Sequence, residues 1–309
     1  MRILKTTERL GEPCCAALGY FDGVHIGHAT VLGAARERAR ALGIPFAVFT
    51  FYFEGERLHS KGRGDILTLS ERINRISKAG ADAVYLLPFE EIRGIAPNGF
   101  VKRILHDTMM AKAVFTGEDF HFGAAGEGDT ALLKKLCAEY GIEAVACPRL
   151  TDRGEDISST RIKLLLEAGD IAAANRLLGS PYSFILPVVH GDGRGRTLGF
   201  ATANQALPAE VLVPKRGVYL SRCTIDGEQY YGITNIGSRP TFYDNGETLV
   251  ETNLLGLCES LYDRYLEVAL IAYLRDERRF DTPEALEAQL AADTEAAKKI
   301  IKETENEQD

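Results

Sequence analysis

Gly19-Tyr20-Phe21-Asp22-Gly23-Val24-His25-Ile26-Gly27-His28 is the stretch around which the first half of the chain is organised. An apolar run precedes it, Cys14, Cys15, Ala16, Ala17 and Leu18, and reads as a buried strand. Val31, Leu32, Ala35, Ala39 and Leu42 follow at helical spacing between Thr30 and Leu42. The stretch is therefore a strand–turn–helix junction with three glycines, Gly19, Gly23 and Gly27, at the turn. Glycine permits positive φ and lets a ligand approach the main chain closely. A helix starting there offers free N–H groups and the positive end of its dipole, which favour an anion such as phosphate. His25 and His28 are three positions apart and share one face of that first turn. Imidazoles aimed at phosphate oxygens donate hydrogen bonds and stabilise charge developing on a transferred phosphoryl group. The same residues also admit a metal held by the His-x-x-His pair, or a plain turn. They exclude a P-loop, since no Gly-x-x-x-x-Gly-Lys-Ser/Thr occurs in the chain.

The 309 residues suffice for two domains. Hydrophobic residues make up 45% and charged residues 26%, an ordinary globular balance. The net charge of −8 argues against broad attraction to nucleic acid or to an anionic membrane surface. The six cysteines form no Cys-x-x-Cys pair, which points away from a disulfide framework or a zinc site. The first ten residues lack the apolar core of a signal peptide, and no run approaches the ~18 apolar residues of a spanning helix. A cytoplasmic location is the expectation.

Up to about residue 180, strand-like runs alternate with helical ones. Pro45 to Phe51, Ala83 to Leu87, Ala113 to Thr116 and Glu143 to Cys147 read as strands. Leu69 to Ala79, Gly99 to Leu105 and Asp129 to Tyr140 read as helices. That alternation implies βαβ units and a parallel sheet with helices on both faces. Ligands in such sheets bind outside the carboxyl ends of the strands. Gly117-Glu118-Asp119-Phe120-His121-Phe122-Gly123 also follows a strand, so it and the histidine turn are expected to line one crevice. Its aromatics either stack on a flat ligand or tuck into the core. Ser158, Ser159 and Thr160 open another helix, as caps or as a second anion site. Helices over 159–168 and 171–178 end at Gly179-Ser180-Pro181, where helical periodicity stops. The domains are therefore expected at 1–180 and 181–309.

Short β-like runs dominate the second part: Phe184 to His190, Val218 to Ile225, Gln229 to Asn235, Leu249 to Leu255 and Leu266 to Leu274. Asp226-Gly227 is a hairpin signal between two of them. The pattern predicts a small antiparallel barrel closed by a C-terminal helix that begins near Pro283. Gly191 to Gly199 is a second glycine-rich loop, with Arg194 and Arg196 able to hold phosphates. Thr202 and Asn204 follow, two hard oxygen donors on one side if extended, although turn chemistry explains them as well. Glu251 stands in the apolar setting Leu249-Val250-Glu251-Thr252-Asn253-Leu254-Leu255. It is either a partly buried carboxylate, with the raised pKa of a base, or an outward-facing charge.

Phe21-Asp22-Gly23-Val24-His25-Ile26-Gly27-His28 resembles the HxGH signature of adenylyl-transferring nucleotidyltransferases. With Gly19 in front, it resembles the bacterial bifunctional riboflavin kinase/FMN adenylyltransferase (FAD synthetase) family. Gly117 to Gly123 is similar to that family's Gly-x-Asp-Phe-x-Phe-Gly, and Ile157-Ser158-Ser159-Thr160-Arg161-Ile162-Lys163 to its Ile-Ser-Ser-Thr-x-Ile-Arg, with Lys163 for arginine. In the second half, Gly195-Arg196-Thr197-Leu198-Gly199-Phe200-Ala201-Thr202-Ala203-Asn204, Asn235 to Phe242, and Val250 to Leu255 resemble the riboflavin kinase motifs. Ala201 and Asn253 stand where the family has proline and histidine. The resemblance implies a Rossmann-like nucleotidyltransferase domain followed by a kinase barrel. It implies ATP and phosphate contacts from Phe21, Asp22, Gly23, His25, Gly27, His28, Ser158, Ser159, Thr160, Lys163, Gly195, Arg196 and Gly199. It implies flavin contacts from Asp119, Phe120 and Phe122, Mg²⁺ at Thr202 and Asn204, and Glu251 as base for the riboflavin 5′-hydroxyl. Substrates and products would be ATP, riboflavin, FMN and FAD, with no nucleic acid or membrane partner and no stated oligomeric state. One departure is larger: Thr50-Phe51-Tyr52-Phe53-Glu54-Gly55 lacks the family's Pro-His-Pro. The alternative it leaves is a riboflavin kinase whose first domain binds nucleotide or flavin but adenylylates poorly.

Overall fold

The computed structural model describes residues 1–5, 8–54, 64–189, 201–238, 248–257 and 261–306. The chain divides into two compact units, Met1–Ser159 and Thr160–Asp309.

The first unit is built on a parallel sheet of β1 (Arg2–Leu4), β2 (Cys14–Leu18), β3 (Phe46–Tyr52), β4 (Ala83–Pro88), β5 (Ala111–Gly117) and β6 (Glu143–Cys147). Their spatial order is β1-β4-β3-β2-β5-β6. All five residues of β2 are buried, as its unbroken apolar run requires in a strand covered on both faces. One face packs on α1 (Ile26–Leu42) through Val31, Leu32, Ala35 and Ala39, the stripe read from the sequence. The other face takes Phe100, Val101, Ile104, Leu105, Leu133 and Cys137. Around the sheet lie α2 (Leu69–Lys78), α3 (Phe89–Ile92), α4 (Pro97–Gly99) and α5 (Thr130–Glu139). The helix expected over 99–105 is instead π-helical through Phe100–Thr108, an uncommon geometry that the apolar spacing does not distinguish. The hairpin of β7 (Thr151–Asp152) and β8 (Glu155–Asp156) was not legible in the sequence. From β2 the chain builds outwards to β3 and β4, then returns to the other side of β2 with β5. The reversal puts the topological switch point between the carboxyl ends of β2 and β5, where such sheets bind ligands.

In the second unit, α6 (Ser159–Ala168) and α7 (Ile171–Leu178) precede β9 (Tyr182–Pro187), β10 (Ala201–Leu207), β11 (Gly217–Ile225), β12 (Glu228–Ser238), β13 (Thr248–Leu254) and β14 (Tyr265–Arg275). The sheet is antiparallel in the order β10-β13-β12-β11-β14-β9. The Val189 N–H donates to the Asn204 carbonyl at 2.7 Å, bridging the two ends of the sheet and curling it into a barrel. Inside the seam, the Gln205 amide donates to the carbonyls of Leu186 and Leu266 at 2.7 and 2.9 Å, two bonds that no main-chain ladder makes there. Asp226 and Gly227, at φ 51° and 89°, make the two-residue hairpin turn between β11 and β12. The closing helix α8 (Pro283–Asn306) covers Val218, Leu220 and Ile233 with Ala297. The sequence places the domain boundary at 180, whereas compactness divides the chain at 159/160. Asn175 of α7 explains the difference, because its side chain donates to the Leu270 carbonyl and accepts from the Tyr182 N–H. The sequence leaves Thr202 and Asn204 open between turn and strand, because threonine favours strands and asparagine does not; pairing with β13 makes the segment a strand.

Candidate active sites

Only one of the three glycines of the histidine turn takes positive φ. Gly23 has φ 80°, but the other left-handed residues are Phe21 at 58° and Val24 at 45°. Such conformations in non-glycine residues store strain and persist only where the surroundings hold them. Here they are held on several sides. The Tyr20 carbonyl accepts from the Thr50 hydroxyl and from Arg72, each at 3.0 Å. An Asp22 carboxylate oxygen accepts the Ile66 N–H at 2.8 Å, and the Ser159 hydroxyl donates to the Asp22 carbonyl at 3.0 Å. Gly19 and Gly27 serve close approach instead: a Cβ would stand 3.0 Å from the Phe21 ring and 3.2 Å from the His25 ring respectively.

His25 lies one residue before α1 and caps it, its Nδ1 accepting the His28 N–H at 3.3 Å. Its remaining proton therefore sits on Nε2. The two imidazoles stack with centroids 3.6 Å apart and planes 18° apart, and Phe21 meets His28 edge-on. Burial pushes the His25 pKa down to about 4, with Asp119 pulling the other way. Burial also holds His28 well below the usual range, helped by His25 and Arg72. Both rings are thus neutral at neutral pH, and each can offer one N–H donor. Metal ligation is disfavoured, because the His25 Nδ1 lone pair is engaged and no group of three or more His, Cys, Asp or Glu gathers among the described residues.

Asp119 is exposed, with its carboxylate 3.8 Å from Arg149, and it acts electrostatically on His25. The turns after β2 and β5 therefore lie within electrostatic reach of each other. Phe122 is buried in the core against Phe100, whereas Phe120 stacks on Phe122 and is half-buried, so it is Phe120 that keeps open ring surface. Ser158 and Ser159 are half-buried, Thr160 is exposed and Lys163 is buried. His59 lies outside the described residues.

In the barrel, Gly195, Arg196 and Gly199 lie outside the described residues, as does 239–242 of the Asn235 motif. Thr202 and Asn204 point to one face of β10, and the Thr202 hydroxyl donates to the Asn253 side-chain oxygen at 2.7 Å. Strand register aligns Asn204 with Glu251, and Glu251 with Asn235, in a row across β10, β13 and β12. Of the two readings left open for Glu251, the outward-facing one is found. Its side chain is exposed, because β13 alternates and Val250 and Thr252 take the inward positions. The sequence reading names Asn253 and Asn235 only as motif positions without a role, and it does not single out Arg72 in the first unit. Period-two alternation around Glu251 marks Asn253 as its same-face neighbour. Nothing local marks Arg72, whose partners are 21 and 52 residues away.

A family model described as FAD synthetase matches residues 7–161, and one described as riboflavin kinase matches 178–301. The bifunctional riboflavin kinase/FMN adenylyltransferase of Bacillus subtilis (strain 168) is 35% identical over 91% of this chain and 90% of its own length. The protein of that name from Pseudomonas fluorescens is 37% identical over 93% of each, and that from Escherichia coli (strain K12) 34% identical over 94% and 93%. A solved structure described as a macrolide-efflux protein from Streptococcus pneumoniae aligns with a TM-score of 0.85 and 28% identity, over 96% of this chain and 99% of that one. Among the described residues no helix is long and apolar enough to cross a membrane. With both halves matched and such identity sustained over nearly the whole length, this chain belongs to the bifunctional riboflavin kinase/FMN adenylyltransferase family.

Proposed function

We propose that this chain makes FAD in two steps at two sites, with residues 181–309 phosphorylating riboflavin and residues 1–180 adenylylating the FMN produced. The observation that supports the reading is that described motif residues of each half lie together: stacked neutral histidines at the switch point, and a row of oxygen donors beside one carboxylate on the barrel.

In the barrel, Glu251 takes the proton from the riboflavin 5′-hydroxyl. The oxygen attacks the γ-phosphorus of ATP, and ADP leaves. Glu251 is exposed, open to an arriving flavin. Thr202 and Asn204 suit a hard divalent ion. Their donors are oxygens on one strand face, and the Thr202 proton is committed to Asn253, which leaves its lone pairs free. Mg²⁺ held there would neutralise triphosphate charge.

At the histidine turn, an FMN phosphate oxygen attacks the α-phosphorus of ATP and pyrophosphate leaves. His25 and His28 each offer one N–H to the phosphate oxygens, and the free N–H groups at the start of α1 offer more. Asp119 and Phe120 orient the flavin. The reducing cytoplasm suits a chain whose described cysteines are all buried free thiols. The test is a product assay with riboflavin, ATP and Mg²⁺. FMN followed by FAD is expected; FMN alone would support the poor-adenylylation alternative, and no product would overturn the reading.

A further inference from the structure

Arg72, on α2, is a buried cation that forms no direct ion pair with a carboxylate among the described residues. The residue is 3% exposed. Its two terminal nitrogens donate to main-chain carbonyls, Tyr20 at 3.0 Å and Phe51 at 2.9 Å. The guanidinium lies 4.2 Å from the centre of the Tyr20 ring, and its Nε is buried without an acceptor. Among the described residues no carboxylate forms an ion pair with it. Asp65 and Asp22 share its neighbourhood, but they take hydrogen bonds from the Tyr20 hydroxyl and the Ile66 N–H. A buried guanidinium held by main-chain carbonyls rather than by a directly bonded carboxylate is costly, and its retention calls for a reason.

The two carbonyls locate that reason. Phe51 is the next-to-last residue of β3, and Tyr20 follows the end of β2, immediately before the left-handed Phe21. Arg72 thus ties two neighbouring strand ends together where the strained histidine turn begins. The turn also lacks a positive charge of its own, because both of its imidazoles are held neutral. Arg72 is within electrostatic reach, being one of the causes that keep His28 unprotonated. A polyphosphate is the anion whose arrival would complete this arrangement.

On the reading that the histidine turn takes the phosphates of ATP, we infer that Arg72 is a positioning residue for adenylyl transfer. It clamps the strand ends that carry the turn, and it supplies a fixed positive charge behind the turn that complements the polyphosphate without touching it. Clamp and charge are separable. Arg72→Lys keeps the charge and loses the two-pronged donor; Arg72→Met loses both.

The experiment is steady-state FAD formation from FMN and MgATP by the full chain, with riboflavin phosphorylation by the same samples as a control for folding. Arg72→Met is expected to lower kcat about 100-fold, the scale of removing one preorganised electrostatic element, and to raise the KM for ATP. Arg72→Lys is expected to lower kcat about tenfold with a near-normal KM for ATP. A merely structural clamp would move both variants alike, so equal kcat and equal KM in the two would overturn the charge role. Wild-type kinetics in Arg72→Lys would overturn the clamp, and this variant decides it even if Arg72→Met does not fold. His28→Ala is run alongside. If it makes FAD at the wild-type rate, the ATP reading of the turn has failed, whatever Arg72 does. If it loses FAD while both Arg72 variants match wild type, only the present inference has failed.

Discussion

Single side chains differ sharply in what they are held for. His25 is neutral because it is buried, and this makes a testable statement about pH. Its folded pKa of about 4 lies below the ordinary value of 6.5, so the unfolded chain binds the extra proton first. The contribution to stability is whole above pH 6.5 and is lost as pH falls towards 4. An NMR titration should therefore find the His25 ring midpoint near 4; a midpoint near 6.5 would contradict its burial. The two phenylalanines of the second turn should also part company. Phe122→Ala, from the core, is expected to cost about 3–5 kcal/mol in denaturant unfolding. Phe120→Ala should cost much less stability and raise the KM for FMN. A raised KM from Phe122→Ala with no loss of stability would reverse the assignment.

At the scale of elements, α8 is held to the barrel by the packing of Ala297 and by an ion pair. Arg275, at the end of β14, meets the buried Asp293 of α8 through two bonds at 2.8 and 2.7 Å. Arg275→Met should destabilise the protein by about 3–5 kcal/mol, because it strands a buried carboxylate. Arg275→Met combined with Asp293→Leu should recover most of that loss. If the double variant were no more stable than the single, the stranded charge would not be the cause. Elements with strong local signals were legible in the sequence. The unbroken apolar run of β2, the stripe of α1 and the Asp226-Gly227 turn each carry their own pattern. Elements decided by distant partners were not. β10 is a strand because β13 pairs with it, and it curls to β9 through Gln205. Glu251 is exposed because of strand alternation that its apolar neighbours disguise. Arg72 acquires meaning only when β2 and β3 come together.

For the whole molecule, the central claim is that two independent sites in one polypeptide run consecutive steps. On that claim, FMN made at the barrel would be the acceptor at the histidine turn, so damage to one site should leave the other's chemistry intact. The most direct measurement is a crossed pair of variants, each assayed with riboflavin and, separately, with FMN in the presence of MgATP. Glu251→Gln should form no FMN from riboflavin and should still convert supplied FMN to FAD. His28→Ala should form FMN at the wild-type rate and stop there. If both variants lost both products equally, or if either kept the product assigned to its own site, the two-site account would be contradicted.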